Sequence, residues 1–168
     1  AQSLEALEAA FAASPFQMEA TFGTPYEHHH PLEPHALIAI WHKASADPRD
    51  KRLTLYDTSQ GVLMWLMALS PLLGLLPNQM EIISPYVGGS FGTKGSPHAH
   101  LVVTILAARL LPERPIKYAM TRQQMVATTG YRPQSVQQVR LAADHQGCLT
   151  VIDHRSVSPV SRWKKYQD

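Results

Sequence analysis

The feature that most constrains the fold of this chain is a glycine-rich segment, residues 84–97 (SPYVGGSFGTKGSP). The apolar run from Met80 to Ile83 predicts a strand before it. Ser96 followed by Pro97 predicts a helix after it, with Ser96 as the N-cap. Glycines let the backbone turn sharply and approach a ligand without a Cβ in the way, and loop N–H groups beside a helix N-terminus form an anion site. The segment therefore predicts a strand–loop–helix unit that receives a phosphorylated or oxyanionic ligand, with a ligand-free glycine-rich turn as the alternative.

This loop does not match the common nucleotide-binding patterns. A Walker A loop ends in Gly-Lys-Ser/Thr, whereas here Thr93 precedes Lys94 and a glycine follows it. The dinucleotide pattern G-x-G-x-x-G is absent because Gly88 and Gly89 are adjacent. Neither nucleotide fingerprint is therefore predicted.

Length and charge limit the class of protein and its partners. The chain has 168 residues, 45% of them hydrophobic, which suits one domain or one piece of a larger chain. Its net charge is +2 and no block of Lys and Arg alternates with aromatic residues, so nucleic acid is not predicted as a partner. The basic segment at residues 162–165 (RWKK) is interpreted as a solvated end. A lone cysteine, Cys148, excludes a disulfide framework and a thiolate metal cluster.

No targeting or membrane segment is predicted. The N-terminus lacks a charged region followed by an apolar core, so no signal peptide is visible and the compartment stays open. The most apolar stretch, Val62 to Leu76, is interrupted by Pro71 and Gly74. It is shorter than the roughly 20 residues that a bilayer span requires.

The pattern of apolar residues predicts interleaved helices and hairpins. Helices are predicted at 3–13 with Ser3 as N-cap, at 61–70, at 97–111 and, opened by a capping box at 121–124, over a short segment. Strands are predicted at 16–22, 35–43, 52–57, 80–83, 116–120, 135–143 and 148–157. The second and third strands form one predicted hairpin, and the last two form another. No strict βαβ repeat is present, which favours a two-layer α+β domain with a mixed or antiparallel sheet and packed helices.

Two of the predicted helices are apolar on nearly every face. The segment Val62–Leu69 contains no charge, and Leu101–Leu106 has Thr104 as its one polar member. A helix that is hydrophobic all round needs cover on all sides. Either another domain or subunit supplies part of that cover, or both helices pack against the sheet of this chain.

Histidines form the other group of candidate ligands. Four of them lie close together with two glutamates among them: His28, His29, His30, His35, Glu27 and Glu33. Such side chains could bind zinc, but the spacing matches no HExxH helix, so hydrogen-bonded or solvated loop histidines are favoured. His98 and His100 are two apart in a predicted helix and are not expected to share a face. No nucleophile elbow is present, so neither catalytic residues nor metal ligands are predicted.

Two arginines flank the short predicted helix that follows residue 121. Arg122 and Arg132 could each reach a ligand phosphate, because a guanidinium fork suits oxyanions. Surface or structural pairing is the alternative for both.

Several separate segments resemble one family. Residues 31–35 (PLEPH), 58–61 (TSQG), 85–94 (PYVGGSFGTK) and 114–117 (RPIK) with 121–122 occur in the order and approximate spacing of the molybdenum hydroxylases, the xanthine dehydrogenase and aldehyde oxidase family. The similarity is to the large, molybdopterin-binding subunit and runs from about residue 17 to about residue 157. Residues 27–35 (EHHHPLEPH), 121–125 and 130–132 resemble most the bacterial aldehyde oxidoreductase branch.

The resemblance implies a cofactor site on the glycine-rich segment. Residues 1–168 are then one partial domain, the first molybdopterin-binding domain of the large subunit, and the cofactor is molybdopterin, in a dinucleotide form in the full assembly. The residues expected to bind it are Gly88, Gly89, Ser90, Phe91, Gly92, Thr93 and Lys94, with the backbone around Phe91 and Gly92 facing the metal end. Glu27 stands where the family often has a glutamine near the metal. Gly95 stands where xanthine-type members have a substrate-binding glutamate, which favours aldehydes over purines.

The resemblance also implies a reaction and partners. The family hydroxylates an electrophilic carbon with chemistry that the cofactor carries, and electrons leave through iron–sulfur clusters. The family's large subunit is several times longer than this chain, and its general-base glutamate lies near the far C-terminal end. The chain is therefore expected to need the remaining molybdopterin-binding half and iron–sulfur and FAD subunits, and not to be active in isolation. The alternative is a stand-alone, non-catalytic protein that kept the fold and acts by self-association, as a homo-oligomer, or by binding a partner; a histidine-ligated zinc enzyme is the least favoured interpretation.

Overall fold

The computed structural model describes residues 3–47 and 49–160, and the chain divides into two compact units. Unit 1 combines both ends of the chain, residues 1–27 and 132–168, and unit 2 comprises residues 28–131. The basic segment at residues 162–165, predicted to be solvated, lies outside the described residues. None of the helices found in the described ranges has both the length and the hydropathy that a membrane span requires.

The described residues of unit 1 form one helix and a three-stranded antiparallel sheet. The helix is α1 (Leu4–Ala13), and the strands lie in the order β1 (Phe16–Thr24), β6 (Ser135–Ala143) and β7 (Leu149–Val157). Ser3 caps α1 by accepting the N–H of Ala6 at 3.2 Å. The predicted α1 cap and the predicted β6–β7 hairpin are both confirmed.

The two faces of the unit 1 sheet differ in polarity. On one face the Arg140 guanidinium lies 4.2 Å from the ring centroid of Phe11 and donates two hydrogen bonds of 2.7 Å to Glu8. The other face carries the alternate residues of the strands, and four of its large apolar side chains are about half exposed or more: Phe16, Met18, Phe22 and Ile152. This face therefore leaves an apolar surface open.

Unit 2 is built on a four-stranded mixed sheet. Its strand order is β4 (Met80–Ile83), β3 (Leu53–Tyr56), β2 (Ala36–Trp41) and β5 (Ile116–Ala119). β2 pairs antiparallel with β3, which confirms the hairpin predicted for strands 35–43 and 52–57. β2 also pairs antiparallel with β5, whereas β3 and β4 are parallel. The helix α2 (Val62–Leu73) connects β3 to the adjacent parallel strand β4, and α3 (Ala99–Leu110) connects β4 to β5, which runs in the same direction at the other edge of the sheet. The sequence pattern did not indicate these crossovers, because β3, β4 and β5 are short and the segments between them differ in length.

Two helices pack on the unit 2 sheet with one face each. α2 buries Trp65, Leu69 and Leu73, and α3 (Ala99–Leu110) buries Leu101, Ile105 and Ala108. The outer faces of both helices stay open, because Leu63 and Met67 are 71% and 63% exposed and Leu110 is 82% exposed. Each helix therefore packs against the sheet of this chain, as one of the two explanations predicts, and cover of the remaining apolar surface by another domain or subunit stays a prediction.

The N-terminal boundary of α3 differs from the prediction. The helix begins at Ala99 with His98 as its N-cap, so the assignment of Ser96 as N-cap and Pro97 as first helical residue is wrong. His98 has extended backbone angles and its side chain caps no backbone N–H; instead its ring turns back toward the loop. The capping box of α4 (Arg122–Thr128) is confirmed, since Thr121 and Gln124 exchange their side-chain hydrogen bonds.

With these elements, helices packed on one mixed and one antiparallel sheet, the α+β fold class is confirmed.

Candidate functional site

The glycine-rich segment forms an irregular loop between β4 and α3. Three of the four residues at its tip lie at positive φ, with values of 94° at Gly89, 56° at Phe91 and 102° at Gly92. Short-range hydrogen bonds close the turn from Thr93 N to Ser90 O and from Gly95 N to Gly92 O, both at 3.1 Å. A phenylalanine rarely adopts positive φ, and here the conformation leaves its side chain 63% exposed at the tip.

Glu33 fastens one side of this loop. Its Oε2 accepts hydrogen bonds from Gly88 N at 2.8 Å and from Lys94 Nζ at 2.6 Å, and its own N–H donates to Gly88 O at 3.1 Å. A Cβ on Gly88 would lie 2.7 Å from Glu33 Cβ, so this close approach requires glycine. Partial burial raises the pKa of Glu33, but the hydrogen bonds from Lys94 and Gly88 outweigh it and hold that pKa below its usual range.

Gln60 fastens the base of the loop. The Ser90 hydroxyl donates to Gln60 Oε1 at 2.5 Å and accepts from Lys94 N at 3.1 Å, and Gln60 N donates to Lys94 O at 3.0 Å. The Trp65 indole N–H adds a hydrogen bond of 3.1 Å to Gly95 O. The segment that follows β3 and the helix α2 therefore both support the loop from beneath.

A cluster of histidines holds the carbonyl group of Thr93. Nε2 of His35 and Nε2 of His98 lie 3.3 Å and 2.6 Å from Thr93 O. A carbonyl oxygen only accepts, so each of these nitrogens carries the proton. The His100 ring lies 5.3 Å from the His35 ring and 6.2 Å from the His98 ring. His98 and His100 thus stack on each other, and the expectation that they face apart is wrong because His98 lies before the helix.

Burial keeps two of these rings, His35 and His100, uncharged near neutral pH. The pKa of each is lowered to about 4, mainly by desolvation and in part by the neighbouring histidines. Nδ1 of His35 and both ring nitrogens of His100 are buried without a hydrogen-bond partner. His35 and His100 therefore form a neutral, aromatic support under the loop.

Asp57 is a second buried titratable group close to this network. It directly follows β3, is 7% exposed, and accepts the N–H of Thr58 on Oδ1, while Oδ2 is buried without a partner. Desolvation raises the pKa of Asp57 to about 7, against the opposing influence of the Thr58 N–H and the Lys94 ammonium. A carboxyl group that is about half protonated at neutral pH thus lies among the supports of the loop.

The residues predicted to bind the cofactor fall into two groups. Gly88, Phe91 and Gly92 are exposed and Gly89 is half-buried. The other three, Ser90, Thr93 and Lys94, are buried, and Lys94 directs its ammonium to Glu33. The structure thus makes the first group the accessible surface of the loop and the second its internal fastening; their binding of a cofactor stays a prediction.

The two arginines have local partners. Arg122 donates to the carbonyl oxygens of Pro31 and Leu32 at 2.5 Å and 2.8 Å, which fits structural pairing. The backbone of Arg132 pairs with that of Glu27. Within the described ranges no three His, Cys, Asp or Glu side chains are grouped as metal ligands, so a histidine-ligated zinc site has no ligand set there.

Sequence reasoning did not find the contacts that fasten the loop. The sequence offers Glu33 as a candidate metal ligand and indicates no role for the side chains of Gln60 and Asp57. The available signal was the joint occurrence of the segments at 31–35 and 58–61 with the glycine-rich segment, because these three segments contain the residues that meet in the structure. No periodicity relates them, since Glu33 and Lys94 are 61 residues apart.

The chain belongs to the family of molybdopterin cofactor-binding domains, whose family model matches residues 2–167. It is 33% identical over 151 residues to the molybdenum-binding subunit PaoC of an aldehyde oxidoreductase from Escherichia coli K12, which covers 90% of this chain and 20% of that subunit. The predicted resemblance to the large subunits of the molybdenum hydroxylases, in the aldehyde oxidoreductase branch, is thereby confirmed.

Solved structures have the same fold. The reconstituted CO dehydrogenase from Oligotropha carboxidovorans superposes with a TM-score of 0.75 at 25% identity, over 92% of this chain and 18% of that one. The aldehyde oxidoreductase from Desulfovibrio gigas gives a TM-score of 0.68 at 29% identity, over 84% of this chain and 15% of that one. The chain spans about a fifth or less of the length of these relatives.

Proposed function

We propose that this chain supplies the glycine-loop part of the molybdopterin site in an aldehyde-oxidising molybdenum hydroxylase. The observation that carries the proposal is the exposed turn at Phe91 and Gly92, whose backbone lies in the left-handed region and whose glycines, Gly88, Gly89 and Gly92, add no side chain to the surface. Such a turn leaves backbone groups accessible to a large, polar, anionic group. We expect this turn to receive molybdopterin. The residues that would hold it are Gly88, Gly89, Phe91 and Gly92 at the surface, and Ser90, Thr93 and Lys94 hold these residues in place from within.

When bound, the cofactor supplies the redox chemistry that hydroxylates the carbon of an aldehyde. The part of this chain is to bind and orient it. The buried histidines, Glu33 and Gln60 fix the loop before the ligand arrives, and pre-ordering of this kind reduces the entropy lost on binding. Gly95 has no side chain to hydrogen-bond a purine, which supports an aldehyde substrate class. Polypeptide beyond these 168 residues completes the enclosure and, with iron–sulfur and FAD subunits, conducts the electrons away.

The exposed apolar faces support the need for further polypeptide. Leu63, Met64 and Met67 form one open face of α2, each more than half exposed. Large exposed apolar patches mark interaction surfaces. The same observation supports the second candidate function, a stand-alone protein that associates with copies of itself. A chain that stays monomeric by light scattering and binds the pterin only beside its partner subunits would favour the first candidate over the second.

The experiment that tests the cofactor proposal compares two glycine substitutions in protein co-expressed with its partner subunits in cells that make the cofactor. Gly92 has φ of 102° in the loop, and Gly147 has φ of 83° in the β6–β7 turn with nothing within 4 Å of an added Cβ. Alanine causes backbone strain of about 1 kcal/mol at either position. We expect Gly92→Ala to lose most of the bound molybdenum and fluorescent pterin, and Gly147→Ala to retain them.

Molybdenum is measured by mass spectrometry and pterin by fluorescence after oxidation. A wild-type protein that assembles with its partners and contains neither would refute the proposed function. Equal loss in both variants would refute the role of the loop.

A further inference from the structure

Glu33 connects a buried cation to an exposed backbone amide. Lys94 is 0% exposed, whereas the side chain of Glu33 is 37% exposed. A single oxygen, Oε2, accepts from the Lys94 ammonium at 2.6 Å and from Gly88 N at 2.8 Å. The carboxylate therefore lies at the boundary between the interior of unit 2 and the accessible surface of the loop.

The segment that carries Glu33 is itself fixed. Arg122 donates to the carbonyl oxygens of Pro31 and Leu32, immediately before Glu33, at 2.5 Å and 2.8 Å. Glu33 and Gly88 then exchange two hydrogen bonds. The backbone N–H of Glu33 donates to Gly88 O, and Gly88 N donates to the Glu33 carboxylate. The position of Gly88 is thus set from α4 through a continuous series of hydrogen bonds.

The charge on Lys94 determines the state of Glu33. A buried ammonium without a partner is strongly destabilising, so the carboxylate stays ionised and faces inward. A hydrogen bond with an ionised acceptor is shorter and stronger than one between neutral groups. The Gly88 N–H therefore receives a charged acceptor that a neutral side chain at position 33 would not offer.

We propose that Glu33 is a positioning residue, which holds the Gly88 end of the loop in the conformation that receives the cofactor. That the loop receives a cofactor rests on the proposed function. That Glu33 holds Gly88 and Lys94 rests on the hydrogen bonds alone. Glu33 acts on the loop through its two hydrogen bonds with Gly88.

The test separates the positioning of Gly88 from the overall stability of the protein by replacing both charged residues, Glu33 and Lys94, with uncharged ones. Glu33→Gln alone leaves the Lys94 ammonium buried without a charged partner and lowers overall stability. The double variant Glu33→Gln/Lys94→Met removes that buried charge, so overall stability recovers toward wild type while the charged acceptor for Gly88 stays absent. Glu113→Gln is the matched control, because Glu113 also accepts a backbone N–H, from Lys43 at 2.7 Å, away from the loop.

The first measurement is amide hydrogen exchange by NMR on the full chain without cofactor. In both Glu33 variants we expect exchange at Gly88 to rise about tenfold to a hundredfold, the range for loss of a hydrogen bond with a charged partner. In the double variant and in Glu113→Gln, exchange of the α3 core amides, such as Ile105, stays at the wild-type rate. Unchanged exchange at Gly88 in the double variant would overturn the proposal.

The second measurement is molybdenum and pterin content of the same variants co-expressed with the partner subunits. We expect the double variant to lose most of its pterin although its stability is close to wild type. If wild type loads and the double variant loads equally, the positioning role is wrong and the proposed function stands. If assembled wild type contains no pterin, the proposed function fails and the purpose given to Glu33 fails with it.

Discussion

Asp57 makes the stability of this protein depend on pH in a direction opposite to that of an ordinary paired carboxylate. Its folded pKa is raised by burial from 3.8 to about 7. Below pH 4 the carboxyl group is protonated in both the folded and the unfolded chain, so its contribution to stability is fully present. As the pH rises, the unfolded chain releases the proton first, and stability is lost until the folded group also ionises near pH 7.

Replacement by asparagine isolates this contribution. Asp57→Asn keeps an oxygen that accepts the Thr58 N–H, and it cannot ionise. The shift of about three pKa units corresponds to about 4 kcal/mol at 1.36 kcal/mol per unit. The free energy of unfolding of Asp57→Asn, minus that of wild type, is therefore expected to increase by about 4 kcal/mol between pH 4 and pH 8. Any fixed effect of the amide group cancels in this comparison.

The assay is urea unfolding of both proteins at pH 4, 5.5 and 8, with NMR titration of the Asp57 carboxyl carbon. The control is Asp47→Asn, because hydrogen bonds from the Arg49 side chain and backbone hold the pKa of Asp47 below its usual range. The same difference should change in the opposite direction for Asp47→Asn. A difference for Asp57→Asn that is constant across pH, or a titration midpoint near 4, would refute the reasoning.

Two further predictions concern the supports of the loop. Burial lowers the pKa of His35 from 6.5 to about 4, so its stabilising contribution is complete above pH 6.5 and about 3 kcal/mol is lost as the pH falls toward 4. In urea unfolding, the free energy of unfolding of His35→Gln should therefore fall less steeply between pH 6.5 and pH 4 than that of wild type, and an equal slope would contradict this. Trp65→Phe removes the hydrogen bond to Gly95 O and part of a side chain that is 1% exposed, so unfolding should require about 2 kcal/mol less; a loss below about 0.5 kcal/mol would show that the indole N–H is unimportant.

Local patterns predicted most of the elements. Alternation from Phe16 onward indicated β1, and the capping box at Thr121 indicated α4, because these signals lie within a few neighbouring residues. The pattern at Ser96 and Pro97 failed because the ring of His98 contacts the carbonyl of Thr93, five residues earlier, before the helix begins. A local capping preference of about 1 kcal/mol is easily overridden by such contacts.

The supports of the site were less predictable than its accessible surface. Glycines mark a turn in any context, so the loop itself was evident from the sequence. The pairing of Lys94 with Glu33 joins positions far apart in the chain, and nothing in either segment specifies the other. The parallel alignment of β3 with β4 is likewise a property of the assembled sheet, because the same short apolar run would fit an antiparallel neighbour equally well.

The arrangement of unit 1 has a consequence for the order of folding. β1 hydrogen-bonds to β6 alone among the described strands, and Thr24 and Ser135, which pair at one end of the two strands, are 111 residues apart. At ribosomal rates β1 therefore waits on the order of ten seconds for its partner to be synthesised. All of residues 28–131 emerge during that interval and can close their own sheet first. The apolar side chains of β1 are thus exposed to chaperones and to aggregation throughout, and slowing of translation within unit 2 would lengthen that exposure.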